Sequence, residues 1–127
     1  MHKTGRFTRD ERIKRSADIQ NLFKKGTCFS TKGAKLFVLK NNLEINRIGF
    51  VLPRKYGNAV KRNRSKRYSR EAYRFYKAHL KTGYDMLLLI YPGNDTFNKR
   101  CEQFTKICKK SDLFQKNIKK NHCCYVK

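Results

Sequence analysis

The sequence is expected to fold as one α+β domain of two layers, with helices packed on a small sheet. Three observations predict this. Apolar runs of strand length, at 36–39, 48–52 and 84–91, are bounded by Gly, Pro and Asn. A stretch from about 57 to 80 contains nothing that breaks a helix. The 127 residues show no repeat, linker or composition shift that would divide them, so 1–127 reads as a single domain.

The elements follow in order. Residues 1–9 are basic and polar and read as a loose extension. Ser16 opens a first helix, in which Ile19, Leu22 and Phe23 stand at i, i+3 and i+4 on one face, and Gly26 closes it. The run Leu36-Phe37-Val38-Leu39 follows Gly33, and Asn41-Asn42 and Asn46 mark a turn. A second run, Ile48 to Leu52, stops at Pro53. Gly57-Asn58 is a further turn and a plausible helix entry, and Thr82-Gly83 ends the long helix. Tyr84 to Tyr91 is the most apolar strand, closed by Pro92-Gly93. A last helix spans about Asn98 to Lys110, with Phe104, Ile107 and Cys108 on one face. Residues 112–127 are rich in Lys and Asn and read as a second loose extension.

Charge narrows the function. Lys and Arg number 32 against 9 Asp and Glu, for a net charge of +23. That far exceeds what solubility requires, and a polyanion relieves the self-repulsion. Nucleic acid is the leading partner. A membrane role is disfavoured, because the longest apolar run, Met86 to Tyr91, is far short of the about 18 residues that span a bilayer. The basic N-terminus lacks the apolar stretch of a signal peptide, which points to the cytoplasm. Five cysteines, an odd count, then argue for reduced thiols. Cys101 and Cys108 are too widely spaced for a zinc knuckle, and His122-Cys123-Cys124 has no second ligand pair nearby. His2, His79 and His122 are scattered and the few acids form no acid–base pair, so no catalytic residue is assigned.

The charge concentrates on the long helix. Six of the ten residues from 61 to 70 are basic: Lys61, Arg62, Arg64, Lys66, Arg67 and Arg70. At about 100° per residue, Arg62, Asn63, Lys66, Arg67, Arg70, Arg74 and Lys77 share an arc of about 140°. The opposite arc holds Val60, Tyr68, Ala72, Phe75 and Tyr76, and Tyr73 falls on the cationic side. Lys61 and Arg64 point toward the apolar arc and must sit at the helix start, beyond the cover of the sheet. Arg62, Lys66, Arg70 and Arg74 form a ladder of i, i+4 like charges, which destabilises an isolated helix unless a polyanion compensates. Arginine's planar fork suits phosphate oxygens. A merely solvated face is the bland alternative, but such a face ordinarily carries acidic partners, and here only Glu71 adds one. No helix-turn-helix or zinc-finger pattern points to DNA.

From Arg47-Ile48-Gly49-Phe50-Val51 through Arg54-Lys55-Tyr56-Gly57-Asn58-Ala59-Val60-Lys61-Arg62-Asn63-Arg64-Ser65-Lys66-Arg67 to Arg70-Glu71, the sequence resembles the signature of the bacterial ribonuclease P protein family. Ala17-Asp18-Ile19 with Gln20 to Gly26 is similar to the family's first helix, and Tyr84-Asp85 to its last strand. The resemblance runs from about Arg12 to Leu113. It implies a helix–three strands–helix–strand–helix fold, shared with a domain of a small-subunit ribosomal protein. The first strand would be very short, near Cys28, and the charged helix a left-handed crossover between parallel strands, against the usual rule.

The resemblance also implies a role: a protein subunit that assists an RNA-catalysed removal of the 5′ leader from precursor transfer RNA. Magnesium would lie with the RNA subunit, with no cofactor on the protein and no obligate protein partner. Carried over by position, Lys61, Arg62, Asn63, Arg64, Lys66, Arg67 and Arg70, with Arg54 and Lys55 at the edge, would bind the catalytic RNA. Ile19, Phe23 and Phe37 would line the leader cleft. Ile19, Pro53 and Tyr91 depart from the family pattern, which has an aromatic, a serine and a basic residue there. A ribosomal or other RNA-structuring protein is the alternative that composition alone leaves open.

Overall fold

The computed structural model describes residues 9–93 and 96–114. Three α-helices and four strands follow in the order α1 (Ser16–Lys25), β1 (Thr27–Thr31), β2 (Ala34–Lys40), β3 (Arg47–Val51), α2 (Ala59–Tyr76), β4 (Tyr84–Ile90) and α3 (Phe97–Lys110). Short 3-10 turns precede α1 at Arg9–Glu11 and follow α2 at Lys77–His79. The expected order of elements is therefore present. The first strand, expected to be very short, has five residues, as many as β3.

The strands lie in the order β1-β2-β4-β3. β1 pairs antiparallel with β2 and β2 with β4, while β3 and β4 are parallel and α2 is the crossover between them. Alternation along the strands divides the side chains between two faces. Leu36, Val38, Ile48, Met86, Leu88 and Ile90 face one way and join Ala72, Tyr73 and Tyr76 of α2 with Phe104 and Ile107 of α3 in the main core. Phe37, Leu39, Val51 and Leu87 face the other way and meet Ile19 and Leu22 of α1 with Ile13. The helical layer is thus α2 and α3, and α1 lies alone across the sheet from them.

Several residues of the long recognised string act on the backbone. Gly57 has φ +150°, and Asn58 caps α2 by accepting a hydrogen bond from the Lys61 N–H at 3.0 Å. Gly49 permits a close approach: a Cβ there would lie 3.1 Å from the Ile13 carbonyl oxygen, and the Ile13 N–H donates to the Ile48 carbonyl along the outer edge of β3. Of the two extensions expected to be loose, 1–8 and 115–127 lie outside the described residues. Residues 112–114 belong to the fold, since Leu113 is buried and Phe114 bridges to Leu80. Arg9 opens the first short turn.

Candidate nucleic-acid interface

The helix α2 buries Ser65, Ser69, Ala72, Tyr73 and Tyr76. This corrects the wheel in two places. Tyr73, placed on the cationic side, is 1% exposed and packs edge-on against Phe104, while Val60, placed on the apolar side, is 70% exposed. Tyr68 and Phe75 are half-buried. The buried arc is turned because α3 crosses α2 over two serines, which a wheel counts as polar. Arg100 of α3, only 3% exposed, fills that crossing. Its Nη1 donates to Ser65 O at 3.0 Å, Ser65 Oγ at 3.1 Å and Ser69 Oγ at 2.6 Å, and its Nε to Gln103 Oε1 at 3.1 Å. Small hydroxylated residues on one helix thus receive a long cation from the other. The Tyr56 hydroxyl donates to the same Ser65 Oγ at 3.0 Å.

The residues expected to bind RNA at the start of α2 divide into two kinds. Lys61, Asn63, Arg64 and Arg67 are exposed, together with Arg54 and Lys55 on the turn before the helix. Lys61 and Arg64 lie beyond the sheet, as their position on the wheel requires. Arg67 also rests against the Tyr68 ring, 5.6 Å from its centroid. Lys66 and Arg70 are half-buried. Arg62 is half-buried as well and has internal work: its Nη1 donates to the Pro53 carbonyl at 2.7 Å and the Arg54 carbonyl at 3.5 Å. It straps the turn carrying Arg54 and Lys55 to the helix. Ion pairs join Arg47 with Asp18 and Asp85, Lys77 with Glu11, and Lys81 with Asp112, and among the described residues none involves Lys61, Arg62, Arg64, Lys66, Arg67 or Arg70. The first two turns of α2 therefore carry their positive charge without acidic compensation.

The second candidate region lies across the sheet. Phe23 of α1 is 42% exposed, and its ring meets that of Phe37 on β2 edge to face, with centroids 4.9 Å apart. Ile19, one turn earlier, is half-buried on the same small cluster. The three residues named for a cleft are thus brought together. Sequence reasoning did not find what fixes this helix beyond its apolar stripe. Arg47 of β3 holds the buried Asp85 of β4 by two bonds, Nε to Oδ1 at 2.8 Å and Nη2 to Oδ2 at 2.6 Å, and reaches Asp18 of α1 at 4.0 Å. Asn41 donates to the same Asp85 at 2.9 Å. The bond to Asp85 raises the Arg47 pKa above its ordinary value. All three residues were in view as parts of a motif, and their pairing needed the fold.

Cys28 is exposed, and Cys101 and Cys108 are buried and unbridged. Burial pushes the Cys108 thiol pKa far up, which makes it an inert core group. Cys123, Cys124 and His122 lie outside the described residues. Among the described residues no group of three or more His, Cys, Asp or Glu is placed to hold a metal ion, and no helix is long and apolar enough to cross a membrane.

Known proteins share this sequence pattern and fold over most of the chain. The Ribonuclease P family model matches residues 7–112. The ribonuclease P protein component of Natranaerobius thermophilus is 40% identical over 108 residues, covering 84% of this chain and 94% of the relative. Among solved structures, the Staphylococcus aureus RNase P protein superposes with a TM-score of 0.76 at 27% identity, over 83% of this chain and 98% of that one. The protein from Thermotoga maritima gives 0.70 at 27% identity, over 79% and 96%. With more than half of its length matched by the family model, this chain belongs to the ribonuclease P protein family, the protein component of a ribonucleoprotein endoribonuclease of transfer RNA processing.

Proposed function

We propose that this protein binds the catalytic RNA of ribonuclease P through the start of α2 and the 5′ leader of precursor transfer RNA through the cleft under α1. The observation that carries the reading is the division of the molecule. Uncompensated cations crowd one helix start, and the partly exposed rings of Phe23 and Phe37 meet on the opposite face of the sheet. The first arrangement suits phosphates, which release condensed counterions when Arg and Lys bind them. The second suits unpaired bases, which stack on aromatic rings.

In this reading the bond cleavage and its magnesium belong to the RNA subunit. The protein contributes neutralisation, which lets two polyanions approach, and a surface that distinguishes precursor from mature transfer RNA. The isolated protein is expected to have no nuclease activity. The encounter takes place in the cytoplasm and requires no further protein.

Reconstitution tests the proposal. At low magnesium, the protein should restore cleavage of precursor transfer RNA by a bacterial catalytic RNA at the mature 5′ end. Arg64→Ala with Arg67→Ala should leave the circular dichroism melt unchanged, since both side chains are exposed. It should weaken assembly with the catalytic RNA and flatten the salt dependence by about one to two units. A double variant with unchanged affinity and salt slope would remove α2 as the RNA-binding surface. Binding to ribosomal RNA with no effect on cleavage would favour the RNA-structuring alternative.

A further inference from the structure

The β4–α3 end of the sheet carries a second cationic feature outside the recognised string. Two adjoining cavities, of about 500 and 560 Å³, share Pro92, Gly93 and Lys99 and form one groove. At one end stand Lys61 and Arg64 from α2, in the middle Lys99 from α3, and at the other end Lys106 from α3 with Lys32 from the β1–β2 turn. All five side chains are exposed, and none is in an ion pair among the described residues. Among the described lining residues Glu102 is the one acid.

The walls are held by contacts within the protein. Gln103 Nε2 donates to the Lys32 carbonyl at 3.0 Å, which fixes the β1–β2 turn to α3. Lys110 Nζ donates to the Ser30 carbonyl at 2.6 Å one helical turn beyond Lys106. Buried Arg100 ties this part of α3 to α2. Five cations from three separate elements thus line one trough on a firm base. Tyr91, 38% exposed, stands among the lining residues.

We infer that this groove is an RNA track that continues the α2 surface onto α3, taking the phosphodiester backbone of an unpaired segment of the catalytic RNA. The inference rests on the reading given under Proposed function and extends it. Charge decides the chemistry: among the described residues the trough is lined by five exposed cations, the buried Arg100 and one acid, which complements a polyanion. Position decides the source. The groove begins at Lys61 and Arg64, inside the surface assigned to the catalytic RNA. It lies on the α2–α3 layer, with the sheet between it and the Phe23–Phe37 cleft assigned to the leader.

Three variants of the full chain test this: Lys32→Ala/Lys99→Ala/Lys106→Ala in the groove, Arg64→Ala/Arg67→Ala on α2, and Lys14→Ala/Lys40→Ala/Lys109→Ala at exposed positions elsewhere. The third removes the same charge as the first and measures any effect of net charge alone. Affinity for the catalytic RNA, and for precursor transfer RNA in the assembled enzyme, is read against salt concentration. The groove variant should lose about tenfold or more in affinity for the catalytic RNA and flatten the salt slope by about two units, with the remote triple variant much closer to the parent. Loss from α2 but not from the groove would overturn the inference and leave the α2 assignment standing. Equal losses in the two lysine triples would overturn it as a mere charge effect. Loss confined to precursor transfer RNA would overturn the choice of RNA. No loss in either the groove or the α2 variant would overturn the underlying reading as well.

Discussion

The two faces of the sheet meet opposite demands with the same strands. On one face two helices seal a continuous core, in which Leu36, Ile48, Met86, Leu88 and Ile90 are all but inaccessible to solvent. On the other a ten-residue helix buries one side chain, Leu22, and leaves Phe23 and Phe37 touching each other at the edge of water. Burial of apolar surface drives folding, so aromatic area left half-exposed forgoes stability. The sealed face can afford this because it supplies most of the core. The open face can then present aromatic rings to a partner. The sealed face in turn holds α2 firmly enough for its outer side to carry unpaired positive charge.

The contrast can be broken or sharpened by substitution. The largest effect is expected at Leu22→Ala, which removes the one fully buried side chain of α1 and should cost about 2–4 kcal/mol in urea unfolding. A cost below about 1 kcal/mol would mean that the Asp18–Arg47–Asp85 link, not packing, holds α1 in place. Next comes Arg100→Ala on the sealed face. It deprives Ser65 and Ser69 of their shared donor and empties the crossing of α2 and α3, for about 2–3 kcal/mol by the same measurement. Little change would show that the two helices are held by their aromatic contacts alone.

On the open face, Phe23→Ala and Phe37→Ala should weaken binding of precursor transfer RNA by about 1–3 kcal/mol each, and of mature transfer RNA much less. Equal losses for the two RNAs would assign the pair to packing. The smallest effect is expected from Arg62→Ala. Its loss of the Pro53 and Arg54 carbonyls should cost about 1 kcal/mol in stability, whereas Arg64→Ala should cost none. A pair of melts separates the two arginines, and equal stability would show that Arg62 is as external as its neighbour.

Strand positions, helix starts and the sign of the surface were legible because they follow from local chemistry. Gly57 and Asn58 set the entry of α2, and apolar runs between Asn, Gly and Pro became strands, whereas α2 ends at Tyr76 and its 3-10 continuation at His79, short of the expected stop at Thr82-Gly83. The face that α2 turns inward was not legible. A helical wheel ranks Ser65 and Ser69 with the solvated residues, yet both are buried, because Arg100, 31 to 35 residues away, supplies their hydrogen bonds. Val60 was ranked with the core, yet no element covers it at the helix start.

What the sequence determined by itself was the fold class, the order of elements and the excess of charge on one helix, since each rests on residue type and short-range spacing. Only the tertiary structure decided which cations are free for a partner and which serve the fold. Arg62 and Arg100 are chemically the same as Arg64 and Arg67, and side-chain type cannot say which of them finds a carbonyl within reach. That depends on the crossing of α2 with α3 and on the turn at Pro53. Both are set by long-range packing, in which each partner lies beyond the range of any local pattern.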